Sequence, residues 1–223
     1  MKTIIKHCFL TCIILLNIQC KAQQKTYNLN HDTQKNMIPA IDKNFEIFDS
    51  ERYNRLFKKN PHYQSEFLAD GTYIEMTVAN AGKNYLETAP NSYLMISKAY
   101  FNNGNIKAKG LGFNADGFQK GIWYEFNENG QLIKETDYDK HYKFTFEDIL
   151  KFCEREHIEV KKGPILQSTG FHTAIRRGYS LLMENVSWWE IDWLKRSDLI
   201  ETIKLNGNTG VVVEKRERSY INN

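Results

Sequence analysis

The chain has 223 residues, with 30 basic against 27 acidic side chains, 41% hydrophobic residues and four cysteines. That balance excludes a disordered, collagen-like or disulfide-dense chain, and the length allows one or two domains, each large enough to bury a core. The net charge of +3 is N-terminal: residues 1–22 hold Lys2, Lys6 and Lys21 and no acid, so the remainder is neutral.

Residues 1–22 have the layout of an export signal: Lys2 and Lys6, an apolar run from Cys8 to Leu16, then a short polar stretch. The run is within the length of a signal-peptide core and far below the ~20 residues that span a bilayer. Two cleavage readings stand side by side. Cys20-Lys21-Ala22 offers small residues at −3 and −1, which gives a free protein. Alternatively Cys20 becomes a lipidated N-terminus, which anchors the protein to a membrane through lipid alone. Either way the expected location is the periplasm, the outer membrane or the exterior. Only Cys153 then remains in the body, so an intramolecular disulfide is excluded.

Residues 23–60 are predicted to be a polar lead-in and a short helix. Asp49 can cap Ser50-Glu-Arg-Tyr-Asn-Arg-Leu-Phe57, where Tyr53, Leu56 and Phe57 share a face, and Pro61 stops it. Residues 61–140 change to short aromatic and β-branched runs separated by turns at Asp70-Gly71, Asn103-Gly104 and Asn129-Gly130, the pattern of an antiparallel meander. Each turn glycine follows an aromatic residue by four positions: Phe67, Tyr100 and Phe126. The second and third units align at an offset of 26 residues, and the first lies 33 before the second.

The segment 100–138, with Lys120-Gly-Ile-Trp123-Tyr-Glu-Phe126 at its centre, resembles the MORN-variant hairpin repeat, whose pattern is aromatic, Asn-Gly, aliphatic, Lys, then Gly-x-Trp. The resemblance implies a repeated hairpin sheet used for binding, without a catalytic residue. Some relatives are antitoxin or immunity proteins.

Residues 141–223 open with a helix that Thr145 and Asp148 can cap, with Phe146, Ile149, Leu150, Phe152 and Cys153 on one stripe and an end near His157. Strands are expected at residues 179–183 and 186–194, followed by a hairpin at 199–205 and 211–213. Alternation places Trp189 and Trp193 on one face of their strand and Trp188 on the other. The order of helix, Trp189-Glu-Ile191 strand and Thr209-Gly210-Val211 turn is similar to the PepSY-like module, which implies an envelope or secreted domain that in some cases binds or restrains peptidases.

Few residues suggest chemistry. Lys161-Lys162 and Arg176-Arg177 are too short for a phosphate-tracking surface, so nucleic acid is excluded as an expected partner. His31, His62, His141, His157 and His172 have no metal-ligand spacing, and no phosphate loop or nucleophile elbow is present, so neither metal nor cofactor is expected. Asp137 and Asp139 are a weak calcium pair that reads as solvated carboxylates. Cys153 and His157, four apart, are the one candidate nucleophile and base, against a core role for the thiol.

The expectation is therefore an α+β protein, a meander of repeated hairpins plus a C-terminal helix-and-sheet unit. It is expected to bind a protein or envelope component without catalysis, through exposed sheet and the aromatic residues Trp123, Trp188, Trp189 and Trp193. The alternative is an immunity protein that neutralises a toxic effector, and the third reading is an enzyme using Cys153 and His157.

Overall fold

The computed structural model describes residues 38–115, 117–166, 170–180 and 186–221. The export segment with Cys20, His31 and residues 181–183 of the first predicted C-terminal strand lie outside them.

Helix α1 (Ser50–Lys59) starts where Asp49 accepts a hydrogen bond from the Arg52 amide and ends where the Asn60 amide donates to the Leu56 carbonyl. Seven antiparallel strands follow: β1 (Ser65–Phe67), β2 (Tyr73–Ala79), β3 (Gly82–Thr88), β4 (Leu94–Tyr100), β5 (Ile106–Phe113), β6 (Gln119–Phe126) and β7 (Leu132–Asp137). They pair in chain order as one meander sheet.

The three turn units noted in the sequence are alike in three dimensions. The Leu68, Phe101 and Asn127 amides each donate to the carbonyl four residues on, at Thr72, Asn105 and Gln131. The Gly71, Gly104 and Gly130 amides donate back to Leu68, Phe101 and Asn127. All three glycines have positive φ, at 86°, 94° and 80°, which a side chain would strain. The second and third units also share a β-bulge three residues after the turn glycine, at Lys107 opposite Ala99 and Tyr100 and at Ile133 opposite Glu125 and Phe126. Tyr100 and Phe126 are buried, whereas Phe67, on a three-residue edge strand, is 58% exposed.

Helix α2 (Phe146–Arg155) has a complete capping box between Thr145 and Asp148. It leads to a second sheet of β8 (Ala174–Ser180), β9 (Val186–Arg196), β10 (Leu199–Asn206) and β11 (Val212–Ser219), in the order β11-β10-β9-β8. Phe146, Ile149, Phe152 and Cys153 of α2 pack with Leu94, Leu111 and Phe113 of the first sheet and with Trp189, Ile191, Ile203 and Leu205 of the second. A bridge from Gly117, in the β5–β6 connection, to Ile175 of β8 links the first sheet's loop to the second sheet. A second cluster under α1 contains Phe48, Leu56, Ile74, Met76, Tyr100, Ile106 and Phe126.

The architecture is mainly β rather than α+β: the described residues form two ten-residue helices and eleven strands. Two strands are longer than the sequence suggests. β8 begins at Ala174 because Ile175 pairs with Ile191, while Arg177, next on the same face, pairs with Trp189. An inward arginine breaks the apolar period by which a strand is recognised. β11 runs through Glu214-Lys-Arg-Glu-Arg218, which is exposed throughout; alternating charge on an edge strand resists pairing with another chain.

Candidate functional site

Residues directly opposite in an antiparallel sheet share a face, so the register divides the seven-stranded sheet cleanly. One face carries Ile74, Met76, Leu94, Leu111, Phe113 and Phe126, which belong to the two cores. The other is ordered in three rows. Tyr73 opposes Thr88, then Met95 and Gly112; Glu75 opposes Leu86, then Ser97 and Gly110; Thr77 opposes Asn84, then Ala99, Ala108 and Glu125. Tyr73, Leu86, Met95 and Trp123 are half-buried, and none belongs to either cluster. Small residues therefore floor the middle of this face, and larger apolar groups stand around them. Ile165 and Leu166 line a pocket with Tyr73, Glu75 and Thr77 at its β2 end, so the open part is the middle and the β6–β7 side.

Trp123 is fixed on that face. Its Nε1 donates to the Leu111 carbonyl at 2.9 Å, and its indole covers Gly110, where a Cβ would fall inside the ring. Tyr138 meets it edge-on with centroids 6.3 Å apart. Lys134 and Glu125 pair at 2.9 Å on the neighbouring row, and Glu75 adds a carboxylate on β2, so the rim is charged.

The other tryptophans are placed differently. Trp189 is 0% exposed, with Nε1 donating to the Phe144 carbonyl at 2.9 Å. As a contact for a partner it is corrected, since every side of it is core. Trp193, on the same face, is half-buried and donates to Glu201 at 3.1 Å. Trp188 is on the opposite face, half-buried between Gly178, where a Cβ would enter its ring, and the Lys204 ammonium 4.8 Å from its centroid. The four predicted binding residues thus do not form one surface.

Cys153 is buried among α2 core residues, and burial pushes its thiol up to about 12. The helix that was to place His157 beside it stops at Arg155. His157 has φ 58°, its amide donates to the Glu154 carbonyl, and the Ile158 amide donates to the Cys153 carbonyl, which is a Schellman end. His157 is exposed and off the helix, so the four-residue spacing does not put the pair on one helical face. Asp139, half of the suggested calcium pair, instead contacts Lys120 at 2.7 Å and Arg177 at 2.9 Å. Among the described residues, no three His, Cys, Asp or Glu side chains gather as a metal site, and no helix is long and apolar enough to cross a membrane.

One constellation had no sequence signal. The Lys109 side chain is 1% exposed and points under the sheet, where its ammonium meets the Asn44 carbonyl at 2.6 Å, Glu46 at 2.5 Å and Asp42 at 3.1 Å. Lys98 also reaches Glu46, at 2.5 Å. Burial pushes the Glu46 carboxyl upward, but hydrogen bonds from Lys109 and Lys98 outweigh it and hold the group below its ordinary range. These contacts tie residues 42–46, part of the predicted polar lead-in, to the sheet on the side away from the open face. No family model, curated protein or solved structure matches the chain.

Proposed function

We propose that the chain is an exported, non-enzymatic binding protein that holds a protein or envelope component on the open face of its seven-stranded sheet, with Trp123 as the aromatic anchor. The observation that carries this reading is the asymmetry of that sheet. Both hydrophobic clusters lie on one face, while Tyr73, Leu86, Met95 and Trp123 on the other belong to neither. An amphipathic ring held over a glycine by its own hydrogen bond loses little freedom on binding, which suits an anchor. The buried Cys153 thiol, with little thiolate at neutral pH, supports a non-catalytic reading.

The recurring turn and bulge favour the resemblance to the MORN-variant repeat, and with it a second reading in which the held component is a toxic effector. Affinity capture with residues 23–223 from the source envelope tests both. A specific protein or envelope component recovered by the native sequence and lost with Ser97→Arg, a charge placed in the middle of the open face, supports the proposal. Recovery of nothing specific, or equal recovery by both, sinks it. The anchoring proposal for Cys20 is tested apart, by labelled palmitate: incorporation that disappears with Cys20→Ala supports it, and an unlabelled native protein rejects it.

A further inference from the structure

A cleft of about 600 Å³ opens where the first sheet meets the second, lined by Phe118, Gln119, Thr136, Tyr138, His141, Tyr142, Arg177 and Tyr179 among others. Its size is that of a small-molecule site, far too small for a folded partner. It adjoins the open face at its β6–β7 end, where Gln119 opposes Gly112, Thr136 opposes Trp123 and Tyr138 touches Trp123.

The lining is rich in rings. His141 and Tyr179 stack in parallel, with centroids 3.6 Å apart and planes at 10°, so nothing enters between them and a ligand meets only their outer faces and edges. Arg177 has a side chain 5% exposed. Its guanidinium lies 4.4 Å from the Tyr142 centroid, 4.8 Å from Phe118 and 5.2 Å from Trp189, and it donates to the Gln119 carbonyl. Its charge is met by Asp139, which Lys120 also holds.

These contacts narrow the ligand class. The buried cation is engaged by the protein's own carboxylate, carbonyl and rings, and the exposed Lys140 and Asp137 in the lining carry opposite charges, so the cleft has no enclosed excess of positive charge to receive a phosphate or carboxylate. It does offer ring surfaces together with phenol, imidazole and amide groups. A ligand with apolar faces and a girdle of hydroxyls, and without net charge, matches that lining.

We infer that the cleft binds a neutral sugar of one or two rings, stacked against the Tyr138, Tyr142 and Tyr179 side and hydrogen-bonded by Gln119 and His141. The site borders the open face through Gln119 and Thr136, and its small-molecule ligand goes beyond the partner proposed for the middle of that face.

The test is ligand-observed NMR and calorimetry on the mature protein with cellobiose, maltose and N,N′-diacetylchitobiose, alongside AMP and a dipeptide as charged probes. The expected result is saturable binding of at least one disaccharide with a millimolar Kd, weakened about tenfold by both His141→Ala and Gln119→Ala, and unchanged by Ser97→Arg. Circular dichroism and the thermal midpoint confirm that the variants are folded. If His141→Ala does not fold, Gln119→Ala alone decides the matter, because the Arg177 bond is to the Gln119 main chain. Absence of saturation by every disaccharide at about 10 mM overturns the inference. So does tighter binding of AMP or the dipeptide, or sugar binding indifferent to Gln119→Ala.

Discussion

The indole of Trp123 occupies the space that a side chain at Gly110 would need. The two residues sit on adjacent strands of the open face, and the irregularity between Lys109 and Leu111 leaves Gly110, paired with Ser97 on β4, without a partner on β6 beneath the ring. Gly110→Ala is therefore expected to push the indole off the sheet and break its bond to the Leu111 carbonyl. The expected cost is about 1–3 kcal/mol in urea unfolding, with a red shift in tryptophan emission as the ring gains solvent. An unchanged spectrum and midpoint would show that the ring is not held there.

Lys109→Met should destabilise the protein by about 3 kcal/mol, because it strips the partly buried Glu46 of a cation and leaves the Asn44 carbonyl without its donor. Lys98 still contacts Glu46, so the loss falls at the lower end of the range for broken buried pairs. Limited proteolysis should then cut before Phe48 in conditions where the native chain is resistant. A midpoint within experimental error of the native one would contradict the assigned role of the ammonium.

How legible the molecule was in its sequence depends on the distance over which each feature is decided. Asp49 and Thr145 announced both helices because a cap acts within three residues, and Gly71, Gly104 and Gly130 announced the turns because positive φ is a local demand. Lys109 was silent: its partners lie 63 to 67 residues away, and an Ala-Lys-Gly tripeptide looks like surface. The open face was hidden for a related reason. In β4 and β5 the inward positions include Lys98 and Lys109 and the outward ones Ala99 and Ala108, so the alternation of polarity that identifies a strand's buried side is inverted locally. The alternation of Trp189 with Trp188 was readable, but which tryptophan is enclosed depends on Phe144 and α2, set by tertiary packing.

His157 adopts a left-handed backbone conformation to close α2, a position that glycine fills at lower conformational cost. His157→Gly is expected to raise stability by about 0.5–1 kcal/mol, seen as a higher urea midpoint with an unchanged slope. A loss of stability would mean that the imidazole makes a contribution larger than the strain it tolerates.

Stability should fall on the acid side. At Glu46, Asp139 and Asp192 burial alone would raise the carboxyl. Hydrogen bonds from Lys109 and Lys98, from Lys120 and Arg177, and from Thr202 and Arg176 respectively win and lower it. A carboxylate with a depressed folded value contributes stability that is full above the unfolded value and is lost as pH drops through the folded one. Urea midpoints should therefore be flat near neutrality and decline below about pH 4. Asp192→Asn should make the decline shallower, and a midpoint rising toward acid would contradict this assignment.

The most direct test of the open face is the Kd of the captured component for the native protein, for Ser97→Arg, and for Lys215→Glu on the distant edge strand β11. The proposed function predicts at least tenfold weaker binding with Ser97→Arg and a native value with Lys215→Glu. Native affinity for folded Ser97→Arg would contradict it.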